Sequence, residues 1–274
     1  MTWFEDPIEP NAEDESRLGY LYRSVSGRYH VGQAGIRFIR AMAWVVLILS
    51  VAGLVWPSIT DQVSAHLVQQ PLADQLVTSP DLFARFEQRR LIAGDPMSRI
   101  VIPKIGVDNV VVEGTDADDL RAGAGHYVGS PLPGEAGNVA IAGHRSTWAS
   151  PFRHLDQLVV GDQIELHSPV ATHVYTVVEG GEKAVQTRLN DDCAPGAPCW
   201  VTADNAWTVV DPEREAMLTL TTCHPVGSAR QRLVLRAKLV SSRTTDGKAL
   251  PLPTPIEGPL PPGPAPSGAV PGGV

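Results

Sequence analysis

Two strings in the carboxyl-terminal half carry side chains able to do chemistry. One reads Leu218-Thr219-Leu220-Thr221-Thr222-Cys223-His224-Pro225, the other Ala140-Ile141-Ala142-Gly143-His144-Arg145. Each is a strand-like run ending on a group that can attack a carbonyl or carry a proton. Cys223 would be the nucleophile, acting as thiolate, which an ordinary thiol with pKa about 8.5 supplies only as a minor fraction at neutral pH. His144 would move the proton, because imidazole titrates close to working pH. A third run, Arg232-Leu233-Val234-Leu235-Arg236-Ala237-Lys238-Leu239, leads with a guanidinium that stays charged and offers several donors in one plane to an oxyanion. Along an alternating strand Arg232, Val234, Arg236 and Lys238 share one face, so parity alone leaves Arg236 open.

Neighbouring side chains need separate weighing. Thr222 could line a pocket or donate a hydrogen bond, although threonine in a strand is also good packing. His224 adjoins Cys223, yet successive strand residues point to opposite faces, which argues against it as the cysteine's partner. Taken singly, a buried cysteine is usually an inert small hydrophobe. A histidine at a strand end is more often structural or solvated, the reading for His126, His154, His167 and His173. The ordered combination of His144, Cys223 and Arg232 points to acyl transfer.

The elements that must hold these groups are short. Strand candidates are Ile100 to Ile102, Asn109 to Val112, Gly125 to Tyr127, Val139 to Ala142, Gln163 to His167, His173 to Val178, Met217 to Thr222 and Gln231 to Val240. Brief helices are expected at Ala117 to Arg121 and Pro151 to Leu158. This pattern of short strands and turns predicts an all-β barrel or sandwich. The stretch from Lys183 to Glu215 has weak periodicity.

Upstream, Ala41 to Thr60 holds no Asp, Glu, Lys or Arg. A helix of that length spans roughly 30 Å, the thickness of a bilayer's hydrocarbon core. A core helix or a cleaved signal peptide are the alternatives, but the run is long for the first and far from the start for the second. Arg17, Arg23, Arg28, Arg37 and Arg40 precede it, and Arg85 is the first lysine or arginine after it. The positive-inside tendency therefore predicts a single pass with a cytoplasmic amino terminus and an exterior carboxyl-terminal part. Residues 1–40 read as a cytoplasmic tail, 41–60 as the anchor, 61–98 as a helical stalk and linker, 99–240 as the catalytic domain, and 241–274, rich in proline, as a disordered tail.

The formal charge of -8 argues against a nucleic-acid partner, which would need clustered Lys and Arg. Of the three cysteines, Cys193 and Cys199 bracket Ala-Pro-Gly-Ala-Pro and could form a disulfide in an oxidising exterior, leaving Cys223 as the free thiol. A metal is the competing use of that close pair, but it would want further ligands at recognisable spacing. Nothing in the chain asks for a metal, nucleotide or organic cofactor, and no carboxylate cluster is clear enough to predict calcium dependence.

Thr-Leu-Thr-Thr-Cys, Ala-Gly-His and the downstream arginine together resemble the sortases, membrane-anchored cysteine transpeptidases of Gram-positive bacteria. The resemblance runs from about Arg99 to Val240 and includes Val101-Ile102-Pro103-Lys104-Ile105-Gly106-Val107 and Asn138. Gly143-His144-Arg145 and the His224-Pro225 pair are most similar to class E. The resemblance implies a closed eight-stranded barrel, catalysis by His144, Cys223 and Arg232 rather than Arg236, and Thr222 at the substrate. It implies, as partners, secreted proteins with a carboxyl-terminal Leu-Pro-X-Thr-Gly or Leu-Ala-X-Thr-Gly signal, cut between Thr and Gly. The acceptor would be an amine of a lipid-linked cell-wall precursor or of a pilin. Some pilin-building sortases carry an Asp-Pro-aromatic lid; here Asp95-Pro96-Met97 has methionine instead, so it reads as a plain linker. The rivals are another cell-wall cysteine peptidase or L,D-transpeptidase, weakened by the lack of a Ser-X-Gly-Cys string, and a non-catalytic tethered barrel.

Overall fold

A computed structural model describes residues 33–148, 150–179, 200–203, 210–261 and 263. The chain divides into two units, Met1–Ser58 and Ile59–Val274. A helix, α1, runs over Gln33–Thr78. Its window Arg37–Leu54 has a mean hydropathy of 1.8 with none of it buried, long and apolar enough to cross a membrane. The helix continues past residue 60, so the expected anchor and the first part of the expected stalk belong to one element. Near its end Gln69 accepts from the Val110 amide at 2.5 Å and donates to the Ala122 carbonyl.

A second helix, α2 (Pro80–Glu87), begins where Ser79 accepts from the Leu82 amide and Pro80 pre-sets the first turn. It buries Leu82 and Phe86. Asp95 is not part of a plain linker, as the sequence suggested. It is buried and accepts from Arg85 Nε and Nη2, each at 3.0 Å, and from the Ile92 amide at 3.0 Å. A buried carboxylate is tolerable only when its lone pairs are met, and here a guanidinium meets two of them.

Among the described residues ten strands follow: β1 (Pro96–Ile102), β2 (Val107–Glu113), β3 (Ala124–His126), β4 (Gly137–Ala142), β5 (Gln163–His167), β6 (Ala171–Val177), β7 (Trp200–Ala203), β8 (Ala216–His224), β9 (Gln231–Thr244) and β10 (Ala249–Leu250). Pairing runs β9-β6-β5-β1-β2-β3-β4-β8 and returns to β9, which closes an eight-stranded barrel, the all-β fold expected. Every one of the eight candidates is a barrel strand, most of them longer than anticipated. β1 starts at Pro96, and Met97 is fully buried in the core. The interior is filled by side chains including Ile100, Val139, Ile141, Leu218, Leu220 and Leu235. Inward residues alternate along each strand, and a barrel of this strand number is just wide enough for them to fill.

Closure depends on the length of β9. One of its edges pairs with β8 over Gln231 to Lys238 and with β10 at Ser242 and Arg243; the other pairs with β7 over Gln231 to Val234 and with β6 over Ala237 to Thr244. The strand therefore continues into what the sequence suggested was a disordered tail from 241. Beyond it, Ile256 donates to Arg214 O at 2.9 Å, and Arg214 Nη1 returns bonds to the carbonyls of Ile256 and Gly258. Proline-rich chain can dock through its carbonyls without giving up the extended form. The helix expected over Ala117 to Arg121 is α3 (Ala117–Ala122). The one expected over Pro151 to Leu158 is a series of turns with a 3-10 turn at Leu155–Gln157. Neither β7 nor β10 was anticipated; four and two residues are too short for a period to show. Cys193 and Cys199 lie outside the described residues.

At the barrel's β6 face, the loop before β4 packs on two ring side chains. Gly134 donates to Tyr175 Oη at 2.9 Å, and a Cβ on Gly134 would sit 2.1 Å from His173 Cε1, at φ +86, so only glycine fits. His173 is buried and paired with Ser242 Oγ at 2.9 Å. Burial, with the nearby His167 a smaller contributor, pulls His173 from the ordinary 6.5 down to about 4. Between those values the unfolded chain holds a proton that the folded chain refuses. The stabilisation is complete above about pH 6.5, shrinks as pH falls, and is gone below about pH 4, a loss of at most about 3 kcal/mol. Urea unfolding at pH 7 and pH 4.5 should show the parent losing about 2 kcal/mol more than His173→Asn.

Candidate active site

Cys223 and Arg232 stand on adjoining strands, and His144 follows the end of a third. β4 and β8 run parallel in unbroken register from Gly137↔Ala216 to Ala142↔Thr221. Two residues further along each chain come His144, in the loop after β4, and Cys223, near the end of β8, so the ladder delivers both to the same end of the barrel. The join is locked past the last ladder pair: Gly143 donates to the Thr221 carbonyl at 3.0 Å, and Thr222 Oγ1 donates to the Gly143 carbonyl at 2.7 Å. On the other side of β8, Cys223 lies directly opposite Arg232 of β9. Arg232 Nη1 is 3.6 Å from Cys223 Sγ, and also donates to the carbonyls of Ala229 at 3.0 Å and Gln231 at 3.2 Å. Those two carbonyls hold the guanidinium still against the sulfur. Cys223 carries a free thiol and is half-buried, as is His144.

Arg236, left open by parity, is elsewhere. It pairs with Thr219, four residues from Arg232 and so roughly 13 Å along the strand. There it is buried against the Glu213 carboxylate, in an ion pair rather than on a solvated surface. Thr222 is buried, and its hydroxyl is directed at Gly143. His126, His154 and His167 have partners of their own. His126 is buried between Glu113, 2.7 Å from Nδ1, and Ser130, 2.7 Å from Nε2. His167 meets Glu165 and Thr172, and His154 meets Gln157 on the surface.

His224 is turned away from the half-buried sulfur and is 3% exposed. Its Nδ1 lies 2.7 Å from Arg145 Nη1, while Arg145 Nη2 is 3.3 Å from Asp156 Oδ1. Arg145 itself is 5% exposed. The sequence alone assigns no role to Arg145 or to Asp156. The available signal was a charged residue directly after the histidine, in a run otherwise built to be buried.

The electrostatics follow from placement. A guanidinium beside a sulfur can hold negative charge that develops on a substrate oxygen. A half-buried imidazole at the same end of the barrel can exchange protons with groups on the carbon the sulfur attacks. The arrangement suits covalent acyl transfer through a thioester. Among the described residues no group of three or more His, Cys, Asp or Glu side chains is placed to hold a metal ion.

Residues 100–240 match the family model of the sortase domain. The chain is similar to Sortase D of Bacillus subtilis (strain 168), 34% identical over 151 residues, a match covering 54% of this chain and 66% of that protein. It is also similar to Sortase SrtE1 of Streptomyces coelicolor, 27% identical over 203 residues, covering 69% of this chain and 51% of that one. The chain thus spans between half and two thirds of the length of these curated relatives. Among solved structures, a Clostridium perfringens Sortase D5 transpeptidase aligns with a TM-score of 0.50 at 26% identity, over 64% of this chain and 97% of the other.

One backbone contact sets a tight limit on the histidine loop. A Cβ on Gly143 would lie 2.5 Å from Phe152 Cδ2 and 2.8 Å from Cε2, and Phe152, fully buried, donates its amide to the His144 carbonyl at 3.1 Å. Gly143→Ala should therefore lower stability by about 1 to 3 kcal/mol through overpacking. Thermal unfolding of the full chain in detergent checks this; an unchanged midpoint would show that Phe152 yields freely.

Proposed function

Because this chain belongs to the sortase family, we propose that it is a membrane-anchored cysteine transpeptidase acting on a Leu-Pro-X-Thr-Gly or Leu-Ala-X-Thr-Gly sorting signal. The observation that carries the reading is Arg232 Nη1 at 3.6 Å from Cys223 Sγ, on the strand neighbour of the chain end that bears His144. The Cys223 thiolate attacks the threonine carbonyl carbon, and Arg232 holds the resulting oxyanion. His144 gives a proton to the glycine nitrogen as the C–N bond breaks, leaving a thioacyl enzyme. An incoming amine attacks the thioester carbon and His144 takes its proton. The C–S bond then breaks, returning the thiolate and a new amide. Water in place of the amine gives hydrolysis.

The anchor reading rests on the apolar stretch of α1 and on the arginines that precede it. A cytoplasmic amino terminus would hold residues 99–240 outside, where secreted substrates emerge and lipid-linked cell-wall precursors reside. A pilin lysine is the other amine acceptor that this placement serves. Thr222 contributes by fixing the histidine loop to the cysteine strand, and so orients the site in which the signal is bound.

Cleavage of a fluorogenic Leu-Ala-X-Thr-Gly peptide by the full chain in detergent tests the assignment. Cys223→Ala should abolish turnover, and hydroxylamine should trap the acyl group as a hydroxamate in the parent. Arg232→Lys, which keeps the charge but loses the planar fork, should lower kcat by about 10²-fold, as expected when an oxyanion donor is lost. Unchanged turnover in the alanine variant would eliminate the nucleophile.

A further inference from the structure

Arg145 and His224 are each the residue directly after a proposed catalytic one, and they meet each other across 79 positions of sequence. We propose that the Asp156–Arg145–His224 chain is a clamp that positions His144 over the cysteine strand, with Arg145 and His224 as positioning residues. This rests on the transpeptidase reading and deepens it.

The clamp spans three elements. Arg145 belongs to the loop after β4, His224 ends β8, and Asp156 sits in the 3-10 turn Leu155–Gln157. Arginine can only donate, so the 2.7 Å contact requires His224 Nδ1 to accept, which puts the ring proton on Nε2. A guanidinium 5% exposed is costly unless its donors are met. Two of its nitrogens are met by His224 and Asp156, whereas Nε has no hydrogen-bond partner among the described residues. The arginine is therefore held by its tip alone, and losing either partner removes one of its two ties.

What that loop carries makes the clamp matter. On the near side Gly143 is tied to β8 through Thr221 and Thr222; on the far side the His144 carbonyl accepts from the Phe152 amide, a bond made within the loop itself. Arg145 ties that far side to β8, through His224. With both, the imidazole is bracketed between two anchored residues. Displacement of a catalytic group by about 1 Å can cost 10²-fold in rate, so a brace of this kind acts on kcat. It acts on proton transfer rather than on the sulfur, which Arg232 holds independently.

The experiment uses the full chain in detergent, with the fluorogenic Leu-Ala-X-Thr-Gly peptide and, separately, iodoacetamide as a probe of Cys223. His224→Leu keeps volume but removes the acceptor, and kcat should fall about 10-fold or more, with KM within about three-fold and the alkylation rate within about three-fold. His224→Asn places an amide oxygen where Nδ1 was and should recover kcat to within about three-fold of the parent. Asp156→Asn, at a site partly open to solvent, should lose about two- to five-fold in kcat. Wild-type kcat in folded His224→Leu, or alkylation falling in step with turnover, would overturn the clamp. Should His224→Leu fail to fold, a folded His224→Asn with a ten-fold deficit overturns it equally. Peptide cleavage that persists in Cys223→Ala overturns the transpeptidase reading instead, and is told apart because the clamp variants leave Cys223 in place.

Discussion

The parallel ladder between β4 and β8 is the constraint on which the site depends. Its six pairs, Gly137↔Ala216 through Ala142↔Thr221, are unbroken. A slip of one residue would turn every inward side chain of one strand outward. Val139 and Ile141 on β4, and Leu218 and Leu220 on β8, are all fully buried, so such a slip would expose apolar groups that contribute roughly 1.5 to 3 kcal/mol each. The burial that builds the core is thus what brings the cysteine and the histidine to one end of the barrel. The geometry of the proposed site is inherited from packing, and the side-chain bonds beyond the ladder refine it.

The third group arrives by a different route. Antiparallel pairing of β8 with β9 puts Arg232 opposite Cys223, and a short connection of 225–230 suffices to make it. A hairpin of that kind is local in sequence, whereas the β4–β8 pairing joins segments 79 residues apart. One side of the sulfur is arranged by a nearby turn and the other by the topology of the whole barrel. Parallel neighbours need a crossover rather than a tight turn, and here the intervening chain supplies β5, β6 and β7 before β8 returns to its place.

Much of this was legible from residue types. Most of the eight strand candidates are runs rich in Val, Ile, Leu and Thr bounded by turn residues, and local pattern suffices to find such elements. His144, Cys223 and Arg232 ended or began those runs, so finding the strands also found the groups. What escaped was whatever depends on a distant partner. Asp95 looks like the start of a linker until Arg85 is folded onto it. Arg236 looks like a surface charge until Glu213 meets it. Residues 241–244 look like the start of a tail because their inward neighbours, on β6, are some 70 residues earlier. Arg145 needed both His224 and Asp156 before its burial made sense.

The closing strand has a temporal consequence. A chain delivered amino end first presents β1 to β6 and the histidine well before Gln231 to Thr244 exists outside the machinery that makes or moves it. Until that last piece arrives, β6 and β8 each lack a neighbour and the sulfur has no cation beside it. The proposed site is therefore assembled late, only once β9 has paired, and until then the open edges of β6 and β8 can be taken by other strands.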